Sequence, residues 1–183
     1  MPNIHNKNFY REMFKAAKGK PILMCYYSRP YKEWESLLDS DAQRMKKAVG
    51  GKKVEFVVAS KNLKKFIEQI KECEAVYFRG GDTLKLMKKL SGVKGQLKKS
   101  FQGKTVLGSS AGAIMLAKYF YNQDGDAIFR GFGLLPAKII THYLSKVKYT
   151  PLSGKDKLEL LKNYKEKLPV YAIKETEFII VEK

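Results

Sequence analysis

The sequence predicts an α/β protein, a three-layer sandwich with a mostly parallel sheet and helices on both faces. Two observations predict it: short apolar runs alternate with longer stretches of helical period, and glycine-rich turns close several of those runs. Residues 8–18 read as a helix, so 1–19 form an N-terminal helical extension. Residues 20–28 (KPILMCYYS) read as a strand, and 33–49 as a helix ending at Gly50-Gly51. Residues 54–59 (VEFVVA) are a β-branched strand, followed by a helix over 62–71. A short strand at 75–78 runs into Arg79-Gly80-Gly81-Asp82-Thr83, and a helix continues to Leu90. Residues 104–107 form another strand, stopping at Gly108. Beyond residue 120 the pattern loosens: a strand over 138–142, a helix over 155–167, and a final hairpin-like pair at 170–173 and 178–181. No repeat or Pro/Gly/Ser-rich linker divides the chain, so 1–183 is expected to be a single domain.

Composition excludes several classes. Apolar residues make up 44% of the 183 and aromatics 12%, enough to build a core, so wholesale disorder is ruled out. The longest apolar run, 22–27, suits a buried strand and not a membrane span. The first residues are polar and charged with no apolar export segment, which predicts a cytoplasmic protein with no membrane partner. Cys25 and Cys73 make no metal or disulfide spacing, and no metal or cofactor is expected. Thirty-six Lys plus Arg against eighteen Asp plus Glu leave a net +18, which attracts acidic ligands or nucleic acid. The lysines, however, come in pairs on separate helices (Lys46-Lys47, Lys64-Lys65, Lys88-Lys89, Lys98-Lys99) and form no block. That is the pattern of solvated helix faces, and a nucleic-acid partner is disfavoured.

The strongest chemical signal is Gly108-Ser109-Ser110-Ala111-Gly112-Ala113, a G-x-S-x-G placed after an apolar strand and before an apolar helix. A nucleophile on such a turn needs small neighbours, and the N–H groups that follow it, beginning with Ala111, can face an oxyanion. A serine nucleophile needs a base, and the chain has two histidines. His5 lies in a polar N-terminal stretch, whereas His142 ends a strand that follows Leu134-Leu135-Pro136, on the rim where Ser110 is expected. The acid that orients the imidazole is Asp124 or Asp126, which sequence does not separate; a dyad without either stays open. The turn at Gly80-Gly81 allows close backbone approach, and one of its N–H groups can complete an oxyanion hole with Ala111. Asp82 doubles as an N-cap for the helix that begins at Thr83.

Together these residues resemble the dipeptidase E (aspartyl dipeptidase) family of serine peptidases, relatives of cyanophycinase. The resemblance rests on Gly80-Gly81-Asp82-Thr83, on Gly108 to Ala113, and on Leu134-Leu135-Pro136 leading to His142, in that order and spacing. It implies a class I glutamine-amidotransferase-like, flavodoxin-like fold, here with a sheet trimmed at both ends, whose edges a homodimer would cover. It implies Ser110 as nucleophile, His142 as base, and Gly81 with Ala111 as oxyanion donors. Gly80, Asp82 and Thr83 then line the substrate. The family acid position falls on Gly125, between Asp124 and Asp126. A basic residue near the start of the late helix, Lys155 or Lys157, is the counterpart of the family's carboxylate receptor. The expected function is cleavage of short peptides, among them dipeptides with an N-terminal aspartate, through an acyl-enzyme. A non-catalytic ligand-binding relative is the alternative reading.

Overall fold

The computed structural model describes residues 6–51, 53–123, 125–145 and 152–182. The chain divides into two compact units, Met1–Gly112 and Ala113–Lys183. Both are α/β, and the fold class expected from the alternating runs is the one observed.

The first unit contains α1 (Lys7–Ala16), β1 (Ile22–Cys25), α2 (Trp34–Ala48), β2 (Phe56–Val58), α3 (Leu63–Glu72), β3 (Ala75–Phe78), α4 (Thr83–Leu90), α5 (Lys94–Ser100) and β4 (Thr105–Gly108). Its four strands form a parallel sheet in the order β2-β1-β3-β4. The two central strands, β1 and β3, are buried along their whole length, which is why both read as unbroken apolar runs without alternation. The crossover helices begin where the sequence offers caps. Asn62 Oδ1 accepts from the N–H groups of Lys64 and Lys65 to start α3, and Asp82 Oδ1 accepts from Lys85 N–H to start α4.

The second unit holds most of α6 (Ala111–Leu116), then β5 (Ala117–Asn122), β6 (Ala127–Arg130), β7 (Leu135–Thr141), α7 (Gly154–Asn163) and β8 (Val170–Ile173). Its sheet runs β6-β5-β7-β8, with β6 antiparallel to β5 and the other pairs parallel. Tyr119, Tyr121 and Ile140 of the sheet pack with Leu161 of α7 in a core cluster. A capping box between Ser153 and Asp156 opens that helix.

Two elements differ from expectation. The antiparallel pair β5–β6 forms where no strand was expected, and no glycine or proline separates α6 from β5 to mark the change. Residues 178–181 do not return as a hairpin strand; Phe178, Ile179, Ile180 and Val181 are 36%, 39%, 62% and 39% exposed. The chain instead turns at Lys174, whose N–H donates to the Glu177 carboxylate, with Thr176 at φ 70°. No helix among the described residues is long and apolar enough to cross a membrane.

Candidate active site

In the first unit, the carboxyl ends of three adjacent strands supply neighbouring loops: Ser28-Arg29 after β1, Gly80-Gly81 after β3, and Ser109-Ser110 after β4. Ser110 joins β4 to α6 with φ 47°, a left-handed conformation that a residue bearing a Cβ adopts only when its surroundings hold it there. Gly112, two residues on, is required: a Cβ at that position would lie 2.1 Å from the Phe78 carbonyl oxygen. Ala111 opens α6, so its N–H has no intrahelical carbonyl to serve.

Ser109 ties the two glycine turns together. Its Oγ accepts from Gly80 N–H at 3.0 Å and shares a 2.8 Å hydrogen bond with the Tyr77 hydroxyl. Burial pushes the Tyr77 phenol up to about 12, so Tyr77 is a neutral partner at ordinary pH. The turn is also held from the β1 side, where Ser28 Oγ donates to the carbonyls of Arg79 and Gly80 and Arg29 Nε donates to Gly80 O. Gly81 sits at φ 152°, and a Cβ there would meet Ser28 O at 2.7 Å and Arg29 Nε at 2.8 Å. Gly80 N–H is used by Ser109, whereas Gly81 N–H has no acceptor among the described residues. Behind this turn, the buried carboxylate of Asp41 receives Arg79 Nε at 2.7 Å, together with Arg44 and the Tyr26 hydroxyl. Asp82 caps α4, and Thr83 is buried as that helix's first residue. Thus Gly80, Gly81, Asp82, Thr83, Ser110 and Ala111 belong to one unit, on two consecutive strand-to-helix turns.

In the second unit, His142 follows β7 at φ 56°. Its Nδ1 is hydrogen-bonded to Glu175 Oε1, to which Ser145 Oγ also donates at 3.1 Å. Gln123 Nε2 donates to the carbonyls of Thr141 and His142, fixing the backbone that carries the ring. The hydrogen bond from His142 holds the Glu175 carboxyl below its ordinary range, although nearby burial opposes this. A pocket of about 170 Å³ opens beside the imidazole, lined among others by Gln123, Ser145, Ser153, Gly154 and Lys157.

Of the expected acids and cations, Asp126 and Lys157 face each other. Asp126 accepts from the Tyr121 hydroxyl at 2.9 Å and faces Lys157 Nζ at 3.5 Å, while the carboxylate on His142 is Glu175. Asp124 lies outside the described residues. Lys157 is 4% exposed, with its ammonium also over the Tyr121 ring, so the Asp126 pair and not solvent surrounds it. Lys155 is exposed near the start of α7. Glu175 escaped the sequence reading because it sits in a polar turn, 33 residues from the histidine it meets, with no local pattern to mark it. Cys25 and Cys73 are both buried, and burial pushes both thiols up, which removes them as nucleophiles.

Comparison with known proteins identifies the family. The model of peptidase family S51 matches residues 31–183. The chain belongs to peptidase family S51. This agrees with the dipeptidase E resemblance carried by the two glycine turns and the strand-end histidine. Among solved structures, one from Listeria monocytogenes EGD-e that carries the name peptidase E is similar, with a TM-score of 0.64 and 18% identity, covering 93% of this chain and 85% of that one. A peptidase from an acI-B1 Actinobacterium has a TM-score of 0.65 and 21% identity, covering 93% of this chain and 75% of that one. At these identities the likeness is one of fold, and no curated protein matches the sequence. Membership in S51 makes the protein a peptidase.

Proposed function

We propose that this S51 member is a serine-type peptidase of short peptides, dipeptides with an acidic first residue among them, acting through an acyl-enzyme. The observation that carries the reading is the backbone of Ser110, held at φ 47° between a strand and a helix by a glycine that admits no side chain. In this reading Ser110 Oγ attacks the scissile carbonyl and the His142 imidazole accepts the hydroxyl proton. The N–H groups of Gly81 and Ala111 stabilise the oxyanion that forms. His142 then returns the proton to the leaving amine, and water resolves the ester by the same path in reverse. Glu175 fills the orienting role: accepting the hydrogen bond of Nδ1–H leaves Nε2 as the basic nitrogen and favours the imidazolium as it develops.

A fluorophosphonate probe tests this directly. Labelling of the wild type that disappears in both Ser110→Ala and His142→Ala supports an activated serine. Failure of folded wild type to label, or full labelling of Ser110→Ala, overturns it.

A further inference from the structure

Among the cations beside the glycine turns, Arg29 stands apart. Arg44 and Arg79 both direct their guanidinium groups at Asp41, whereas no carboxylate among the described residues lies within ion-pair distance of Arg29. Yet Arg29 is firmly placed. Its backbone N–H donates to Tyr26 O at 2.8 Å, its carbonyl accepts from Trp34 Nε1 at 3.3 Å, and its Nε donates to Gly80 O at 3.0 Å. A long side chain anchored at both ends has already lost the rotamer freedom that would oppose ligand binding. With Nε engaged, the two terminal nitrogens remain as a fork, the geometry that receives a carboxylate bidentately. The position is equally specific. Gly80 touches Ser110 on one side, where an added Cβ would meet Ser110 Cβ at 3.0 Å, and is gripped by Arg29 on the other. Further cations extend the rim, with Lys61 Nζ 4.8 Å and Lys89 Nζ 5.9 Å from the centre of the exposed Tyr31 ring, two residues along from Arg29.

We propose that Arg29 is the substrate-carboxylate receptor of this protein: its terminal guanidinium nitrogens bind a carboxylate of the peptide whose carbonyl lies at Ser110. The inference rests on the peptidase reading of Ser110. The carboxylate has two sources in a short acidic peptide, the side chain of its first residue and its free C-terminus, and the chemistry of recognition is the same for both.

Calorimetric titration of the full chain carrying Ser110→Ala separates them, with Asp-Leu, Asn-Leu and Asp-Leu amide as ligands. Asp-Leu is expected to bind tighter than one of the two neutralised peptides by about ten- to a hundredfold, the range of a charge-assisted pair. Adding Arg29→Gln is expected to abolish that preference, weakening the charged peptide about ten- to a hundredfold more than the neutralised one; Arg29→Lys, which keeps the charge without the fork, restores part of it. Weaker binding of Asn-Leu than of Asp-Leu names the side-chain carboxylate, and weaker binding of the amide names the terminal one. Equal weakening of charged and neutral peptides by Arg29→Gln, an undiminished preference, or no binding of any peptide overturns the assignment. The two readings fail separately: fluorophosphonate labelling without an Arg29-dependent preference sinks the receptor alone. Such a preference without labelling sinks the serine peptidase alone.

Discussion

His142 meets Glu175 through its Nδ1, and the same carboxylate oxygen takes the Ser145 hydroxyl, so one glutamate ties the turn after β7 to the turn after β8. Replacing Glu175 with Gln keeps the shape and removes the charge. It is expected to lower kcat by about ten- to a hundredfold, less than removal of a fully buried triad acid because Glu175 is 62% exposed. Glu175→Asp should recover part of the loss. Steady-state kinetics on acidic dipeptides reads both, and an unchanged kcat in Glu175→Gln would return the orienting role to another group.

The same pair has a pH signature. The folded-state value of Glu175 lies below its ordinary one because of the His142 hydrogen bond. The pair's contribution to stability is therefore present above the ordinary glutamate value and is lost as pH falls through the lowered one. Carbon-detected NMR should find the Glu175 carboxyl titrating below the usual glutamate range, and His142→Ala should move its midpoint back up. A midpoint that ignores the histidine would show that the contact is not formed in solution.

Gly81→Ala places a methyl group against Ser28 O and Arg29 Nε at a φ that side chains rarely adopt. The expected cost is about 1–3 kcal/mol of stability, read by urea unfolding, together with loss of fluorophosphonate labelling as the turn shifts. A variant with wild-type labelling and stability would mean that the turn is not held as described.

Asp41 is a test of the scaffold behind the site. Its carboxylate is 3% exposed and takes hydrogen bonds from Arg79, Arg44 and Tyr26. Asp41→Ala leaves the half-buried Arg79 guanidinium uncompensated beside the Gly80 turn, and should lower the unfolding free energy by about 1–3 kcal/mol. A loss well under 1 kcal/mol would show that water replaces the pair.

The first unit was legible in the sequence because parallel strands between helices carry strong local signals. Val54 to Ala59, Ala75 to Phe78 and the turns at Gly80 and Gly108 each announce themselves through β-branching, burial and the need for a missing side chain. The helix over 94–100 was hidden by Gly92 and Gly95, which read as loop although Leu97 is fully buried. Beyond residue 112 the local signals are weaker, since the aromatic run 117–122 follows an apolar helix without punctuation and helix and strand look alike there. The partners of His142 and Lys157 were unreadable for a different reason. The first pairing, with Glu175, arises from β7 and β8 lying side by side, and the second, with Asp126, from α7 packing on β5 beside the turn that carries the aspartate; no spacing along the chain encodes either.

The three loops that follow β1, β3 and β4 stand on strands that neighbour one another, about 4.8 Å apart in any such sheet. Each contributes something separable: a cation from the first, backbone N–H groups from the second, a hydroxyl from the third. The sheet spacing therefore acts as a ruler, setting the reach from the attacked carbon to any anchoring charge before a single side chain is chosen. In the proposed reading, substitutions in the loop after β1 that keep its grip on the Gly80 turn would retune which charge is anchored, while Gly81 and Ser110 stay on the strands beside it.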